Sequence, residues 1–278
     1  MNYSSILCAL LLLGASSCTT TSRPSPAASA HRGVLLQQLT WIEAEKALRP
    51  ETVVVIPLGA ASKEHGPHLL LENDLLLANY LQERVLAAAD VVVAPTINYS
   101  YYPTLVEYPG TTYLRLETAR DIVIDVCTSL ARYGPRRFYV LNTGVSTRIP
   151  LKAAEEELAK LGILMRWTNV SEVLAPIVKE VAQQTVGSHA DEIETSLMLV
   201  CAPETVDMPN AVCDGQEKRG TGLTRDPGNT SATYSPTGVF GDARLATREK
   251  GERVWEHWVA SVLREIEALR DATPPQAP

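Results

Sequence analysis

Glu64, His65, His68 and Asp74 fall within eleven residues of one another, and Gly66-Pro67 forces a turn between the two histidines. Imidazole nitrogens and carboxylates are the donors that bind zinc or manganese. A second polar cluster follows much later, in Ser188-His189-Ala190-Asp191-Glu192-Ile193-Glu194. Together the clusters hold three of the chain's five histidines. If the second cluster is helical, His189 and Glu192 share a face and Glu194 points elsewhere. The metal-site candidates are therefore Glu64, His65, Asp74 and Glu192, and the acid–base candidates are His189 and Glu192. An ion held by His65 and Asp74, with Glu64 or Glu192 beside it, would lower the pKa of a bound water, and His189 would pass a proton to a leaving amine. Plainer roles stand beside these: Asp74 as a helix cap, His68 as a support for a ligand, and Glu194 as a partner for amides at a helix start.

The surrounding pattern says what positions these groups. Val53 to Pro57 is a continuous apolar run ended by Gly59, which reads as a buried strand. A helix from about Asn73 to Ala88 follows, so the first cluster sits at the carboxyl end of a strand, where open α/β sheets place their sites. Further strands are expected at Val91–Pro95, Phe138–Asn142 and Ile163–Trp167, and helices at Glu117–Tyr133 and Leu151–Leu161. Thr40 and Glu43 form a capping box ahead of another short helix. Continuous apolar strands alternating with amphipathic helices mean an α/β fold, a parallel sheet covered on both faces. Residues 202–237 show no periodicity, and a loop that long is usually functional or an oligomer arm. Ala243 to Asp271 reads as one long helix with Val254, Trp258, Val262 and Ile266 on its buried face.

The ends carry different signals. Residues 1–18 resemble an export signal, with a short apolar run and Ala15-Ser16-Ser17-Cys18 as a lipobox, so a lipid on Cys18 would anchor an exported, periplasmic protein. Residues 19–33 are a Ser-, Thr-, Pro- and Ala-rich linker, 34–271 the folded domain, and 272–278 a disordered tail. A net charge of -7 with no basic run argues against nucleic acid as a partner. Cys127, Cys201 and Cys213 show no CxxC spacing, so a thiolate zinc site is not expected, although an exported chain could pair Cys201 with Cys213.

Several segments, in order along nearly the whole domain, resemble the creatininase (creatinine amidohydrolase) family. They are Pro57-Leu58-Gly59, His65-Gly66-Pro67-His68-Leu69, Asp74, Pro109-Gly110-Thr111, His189 to Ser196, and Ser235 to Asp242. The resemblance implies a three-layer α/β/α sandwich around a mostly parallel sheet, a homo-oligomer such as a hexamer, and hydrolysis of small cyclic or linear amides at a two-metal zinc or manganese centre. It makes His65 and Asp74 metal ligands, with Asp74 bridging two ions, and gives His189 and Glu192 acid–base and metal-site roles. Three positions depart from the family pattern. Lys63 stands where a glutamate is usual, with Glu64 shifted beside it. Gly144 replaces a ligand histidine in Asn142-Thr143-Gly144-Val145-Ser146-Thr147, and Ser146 replaces a glutamate used by some members. One ion, an altered pair, a lysine ammonium in place of an ion, or no metal at all are open on this pattern. So is a non-catalytic binding or structural protein that keeps the fold.

Overall fold

The computed structural model describes residues 31–276 except Gln216 and Lys218. The expected export signal with its lipobox at Cys18, and the expected linker up to residue 30, lie outside the described residues. The first described residues are tied to the end of the helix at residues 73–88: Arg32 Nη1 donates to Ala88 O and the Gly33 amide to Leu86 O. Among the described residues, no helix is long and apolar enough to cross a membrane.

The centre is a five-stranded, wholly parallel sheet with strands β1 (Val34–Leu35), β2 (Val53–Leu58), β3 (Val92–Val93), β4 (Arg137–Asn142) and β5 (Leu164–Trp167), in the order β1-β3-β2-β4-β5. The longest register runs between β2 and β4, from Val53 opposite Arg137 to Leu58 opposite Asn142. All six residues of β2 are buried, as a strand covered on both faces requires. Successive side chains of a strand point to opposite faces. Val53 and Val55, with Tyr139 and Leu141 of β4, therefore pack under α2 (Asn73–Ala88), α5 (Val170–Val181), α6 (Glu192–Cys201) and α7 (Arg248–Asp271). Val54, Ile56 and Leu58, with Phe138 and Val140, pack under α3 (Leu116–Ala131) and α4 (Arg148–Lys160). This is the three-layer α/β/α sandwich. A short helix α1 (Trp41–Ala47) precedes β2 and carries the expected capping box of Thr40 and Glu43.

Some elements differ from expectation. The second apolar run, expected at Val91–Pro95, narrows to Val92–Val93, because Ala94 onward pairs only by isolated bonds such as Ala94 N to Val55 O. Helix α5 was not foreseen; Pro176 stands inside it, where a helix usually ends. The last helix starts at Arg248, with Thr247 as its N-cap, after a 3-10 turn at Ala243–Leu245. The tail is tied at its root, since Arg137 Nε donates to Ala272 O at 3.0 Å. Cys127, Cys201 and Cys213 are all free thiols, so Cys201 and Cys213 are not paired.

The stripe on α7 is the keystone of its layer. Val254, Trp258, Val262 and Ile266 are 0–1% exposed, and the Trp258 ring stacks on Trp255 with centroids 5.2 Å apart. Truncating a fully buried tryptophan removes its transfer free energy and leaves a cavity, at a cost of about 3–5 kcal/mol. Trp258→Ala should therefore shift the urea unfolding midpoint down by the equivalent of that loss. An unchanged midpoint would remove α7 from the core.

Candidate metal centre

Both polar clusters meet at the carboxyl ends of β2 and β4. Asp74 lies in the first turn of α2, is fully buried, and caps nothing. Its place there depends on Gly59, directly after β2: a Cβ on Gly59 would lie 2.2 Å from Asp74 O. The Thr143 hydroxyl, just past β4, donates to both Leu58 O and Asp74 O at 3.2 Å. Strand end, helix start and the following loop are thus locked around one carboxylate.

That carboxylate has two partners. Lys63 Nζ lies 2.6 Å from Oδ2, off the hydrogen-bonding direction, so the contact is chiefly ionic. His65 Nε2 lies 2.9 Å from Oδ1. Burial favours the neutral acid, but the charges of Lys63 and His65 outweigh it and hold the Asp74 carboxyl well below the usual carboxylate range. The other ring nitrogen of His65, Nδ1, donates to Lys63 O at 2.9 Å. Both ring nitrogens of His65 therefore face oxygen acceptors, an arrangement satisfied by a proton on Nε2 or by a cation shared with Asp74.

The second cluster approaches from the other side, and not as a helix. The N-cap of α6 is Asp191, whose carboxylate accepts from the amides of Ile193 and Glu194. His189 lies upstream in an extended segment bridged to Phe240: His189 O accepts from Phe240 N at 2.9 Å, and Phe240 O accepts from Ser188 N at 3.0 Å. Ala190 then adopts a left-handed conformation with φ 48°. The helical spacing argument for His189 and Glu192 therefore does not apply. Glu194, at the third position of α6, reaches back to accept from the Ala190 amide at 2.5 Å, and its Oε2 lies 3.7 Å from His189 Nδ1. Glu194 is the site residue that the sequence reading set aside.

Glu192 is turned away, which corrects both its expected catalytic and its metal-site role. Its fully buried carboxylate accepts from the amides of Gln183 and Gln184 at 2.8–3.0 Å and from Lys250 Nζ, bracing the end of α5 against the start of α7. Glu64 does join the cluster, through its Oε2, 3.0 Å from His189 Nε2. Its other oxygen accepts from the Gly66 amide. The Ser235–Asp242 motif closes over it: a Cβ on Gly238, at φ 83°, would lie 1.9 Å from Glu64 Oε1. The Pro109-Gly110-Thr111 motif holds the same segment, with Thr111 Oγ1 accepting from Glu64 N at 3.0 Å. Burial opposes the charge of Glu64, but the hydrogen bond and charge of His189 lower its pKa; conversely Glu64, then Glu194, raise that of His189 against its own burial. His68 is a support: its Nε2 meets Thr195 Oγ1 at 2.8 Å, and burial pulls its pKa down to about 4. Tyr102 and Tyr108 are buried, while Tyr99 is exposed.

His65, His189 and Glu194 bring one donor atom each to within 4.8 Å of one another. Two imidazoles and one carboxylate are a donor set that catalytic zinc sites use, leaving a position for water or substrate. A single ion therefore fits these residues. His189 and Glu194 side chains are 13% and 20% exposed, whereas His65 and Asp74 are sealed, so solvent reaches the cluster from the His189 side.

The family model for creatinine amidohydrolase matches residues 37–266. Creatinine amidohydrolase of Pseudomonas putida is 28% identical over 88% of this chain and 99% of its own length. The mycofactocin precursor peptide peptidase of Mycolicibacterium smegmatis is 26% identical over 74% of this chain and 81% of its own. Among solved structures, a variant creatininase in a Zn-Zn form superposes with a TM-score of 0.69 at 28% identity, covering 87% of this chain and 99% of that one. With the sandwich and the strand-end site in place and the family model matching most of the chain, the chain belongs to the creatininase family.

Proposed function

We propose that this protein is a metal-dependent amidohydrolase that cleaves the C–N bond of a small cyclic or linear amide. The observation carrying it is the convergence of His65, His189 and Glu194 at the one partly open face of a buried polar cluster. Zinc or manganese held by these three would supply Lewis acidity and a water of lowered pKa. The chain's own groups handle the protons. The Glu64 carboxylate, held by the Gly66 amide and packed under Gly238, takes the proton released as water adds to the carbonyl carbon. The same carboxylate then delivers it to the nitrogen as the C–N bond breaks, and His189, donating from Nε2 to Glu64, steadies its charge between the two transfers. Glu194 faces the other nitrogen of the His189 ring, and His68, its pKa pulled down by burial, is held by Thr195.

The relatives act on substrates as different as creatinine and a precursor peptide, so membership does not fix the substrate. In the proposal the enzyme is exported and anchored through Cys18 and works as a homo-oligomer. Incorporation of labelled fatty acid at Cys18 and the mass in solution test these two points.

A panel of creatinine, cyclic ureides, formamides and short peptides, assayed with and without chelator, tests the reaction. Chelation, His65→Ala and Glu194→Gln should each lower turnover at least 100-fold, the scale of losing a positioned acid–base or metal group. Binding of a panel member with no turnover, insensitive to chelation, would favour a non-catalytic binding protein, the reading that Lys63 and Gly144 invite. Glu192 separates structure from chemistry. Glu192→Ala and Lys250→Met should each cost about 3–5 kcal/mol in denaturant unfolding, because they break a buried ion pair. Whatever fraction stays folded should still bind metal. Loss of metal from folded Glu192→Ala would return Glu192 to the site.

A further inference from the structure

We propose that Lys63 is the built-in cation of this centre: its ammonium occupies one oxygen of Asp74, Tyr102 fills the space beside Gly144, and the site takes one divalent ion, on the His65 side. The proposal rests on the metal reading above and sets its stoichiometry.

The Lys63–Asp74 pair is sealed, with side chains 7% and 0% exposed and a 2.6 Å separation. A buried carboxylate needs a compensating charge, and here it has one without any ion. The ammonium also lies 5.3 Å from the centre of the Tyr102 ring, which favours a cation at that position. The same ring fills the neighbouring gap: a Cβ on Gly144 would lie 3.5 Å from Tyr102 Cε1 and 3.0 Å from Thr147 Oγ1. A side chain long enough to reach Asp74 from position 144 would have to displace Tyr102.

The loop beyond β4 has no donor to spare. Asn142 binds Gly144 O and Thr168 O through its amide nitrogen, and accepts from Gly144 N and the Thr147 hydroxyl. Thr143 is committed to Leu58 O and Asp74 O, and Ser146 donates to Tyr101 O at 2.8 Å. None of residues 142–147 is an imidazole, thiolate or carboxylate. A second divalent ion on this side would meet an ammonium of the same sign and an inadequate donor set. The variant creatininase in a Zn-Zn form shows that the fold accommodates two ions elsewhere in the family, so the difference lies in these side chains.

The test is ion counting by elemental mass spectrometry on the purified full-length chain, dialysed against excess zinc or manganese, with thermal melts in chelator alongside. The wild type should hold about one ion that is lost in His65→Ala. Lys63→Glu replaces the ammonium by a carboxylate. It should raise the count above one and, in chelator, lower the melting temperature by about 10 °C, a loss that added metal reverses. Two ions per wild-type chain, or a Lys63→Glu variant matching the wild type in both count and chelated melt, would overturn the proposal while leaving the hydrolase reading intact. No ion in the wild type would overturn both. Should Lys63→Glu fail to fold even with metal, the wild-type count decides alone.

Discussion

Everything at the carboxyl end of the sheet depends on one buried negative charge. Asp74 has no solvent exposure, and an isolated carboxylate in such a place costs several kcal/mol. The chain neutralises it from a segment only nine to eleven residues upstream, through the Lys63 ammonium and the His65 ring. That pairing forces 63–65 to fold back under the start of α2. It also explains why Gly59 has no side chain and why Thr143 uses its hydroxyl on two backbone carbonyls there. The turn at Gly66-Pro67 is the geometric consequence of bringing 63–65 and 74 together. The order of the site is thus fixed by electrostatic necessity before any ligand arrives.

The second half of the site illustrates how a helix terminus divides labour among carboxylates. Asp191, Glu192 and Glu194 are near neighbours in sequence and do three different things. Asp191 caps the free amides of α6. Glu192, the first helical residue, points back into the protein and ties Gln183, Gln184 and Lys250 together. Glu194 returns over the N-terminus to the Ala190 amide and His189. All three gain from the positive end of the helix dipole. Only the last faces the partly open side, and the reason is local. The left-handed turn at Ala190 swings His189 out of the helical frame and over Glu194.

Most of the architecture was legible because it follows from periodicity. Val53 to Leu58 and the Phe138–Leu141 centre of β4 are apolar on both faces, which only a doubly covered parallel strand tolerates. The α7 stripe and the capping box at Thr40 were equally explicit. Within the first cluster His65 and Asp74 do meet, at 2.9 Å, while the Glu64 carboxylate reaches His189. The errors arise where tertiary contacts override local pattern. The segment 188–191 looks like the first turn of a helix, yet its pairing with Phe240, more than forty residues away, holds it extended. No spacing rule reveals that partner, and the carboxylate beside His189 is that of Glu194 rather than Glu192. Helix α5 was hidden by Pro176. The aperiodic stretch from 202 to 237 is legible only in hindsight: Asp214 accepts from the Ser235 hydroxyl and the Thr237 amide, shaping the turn that lays Gly238 on Glu64.

A lysine beside a bridging-type aspartate changes what the scaffold requires of metal. Where two ions share a carboxylate, removing them leaves that group uncompensated, and the site is formed only in the loaded state. Here the ammonium is covalently part of the chain, so Asp74 stays charged and positioned whether or not an ion is bound. A divalent ion bound as proposed would meet a His65 ring already placed by Asp74, with His189 and Glu194 on the accessible side. Affinity no longer has to offset the folding of the site. With one ion, as proposed, the second electrophile would be given up and the polarising power available to a substrate carbonyl would be smaller. The Glu64–His189 pair would then carry more of the proposed reaction, which suits amides whose nitrogen leaves only once it is protonated.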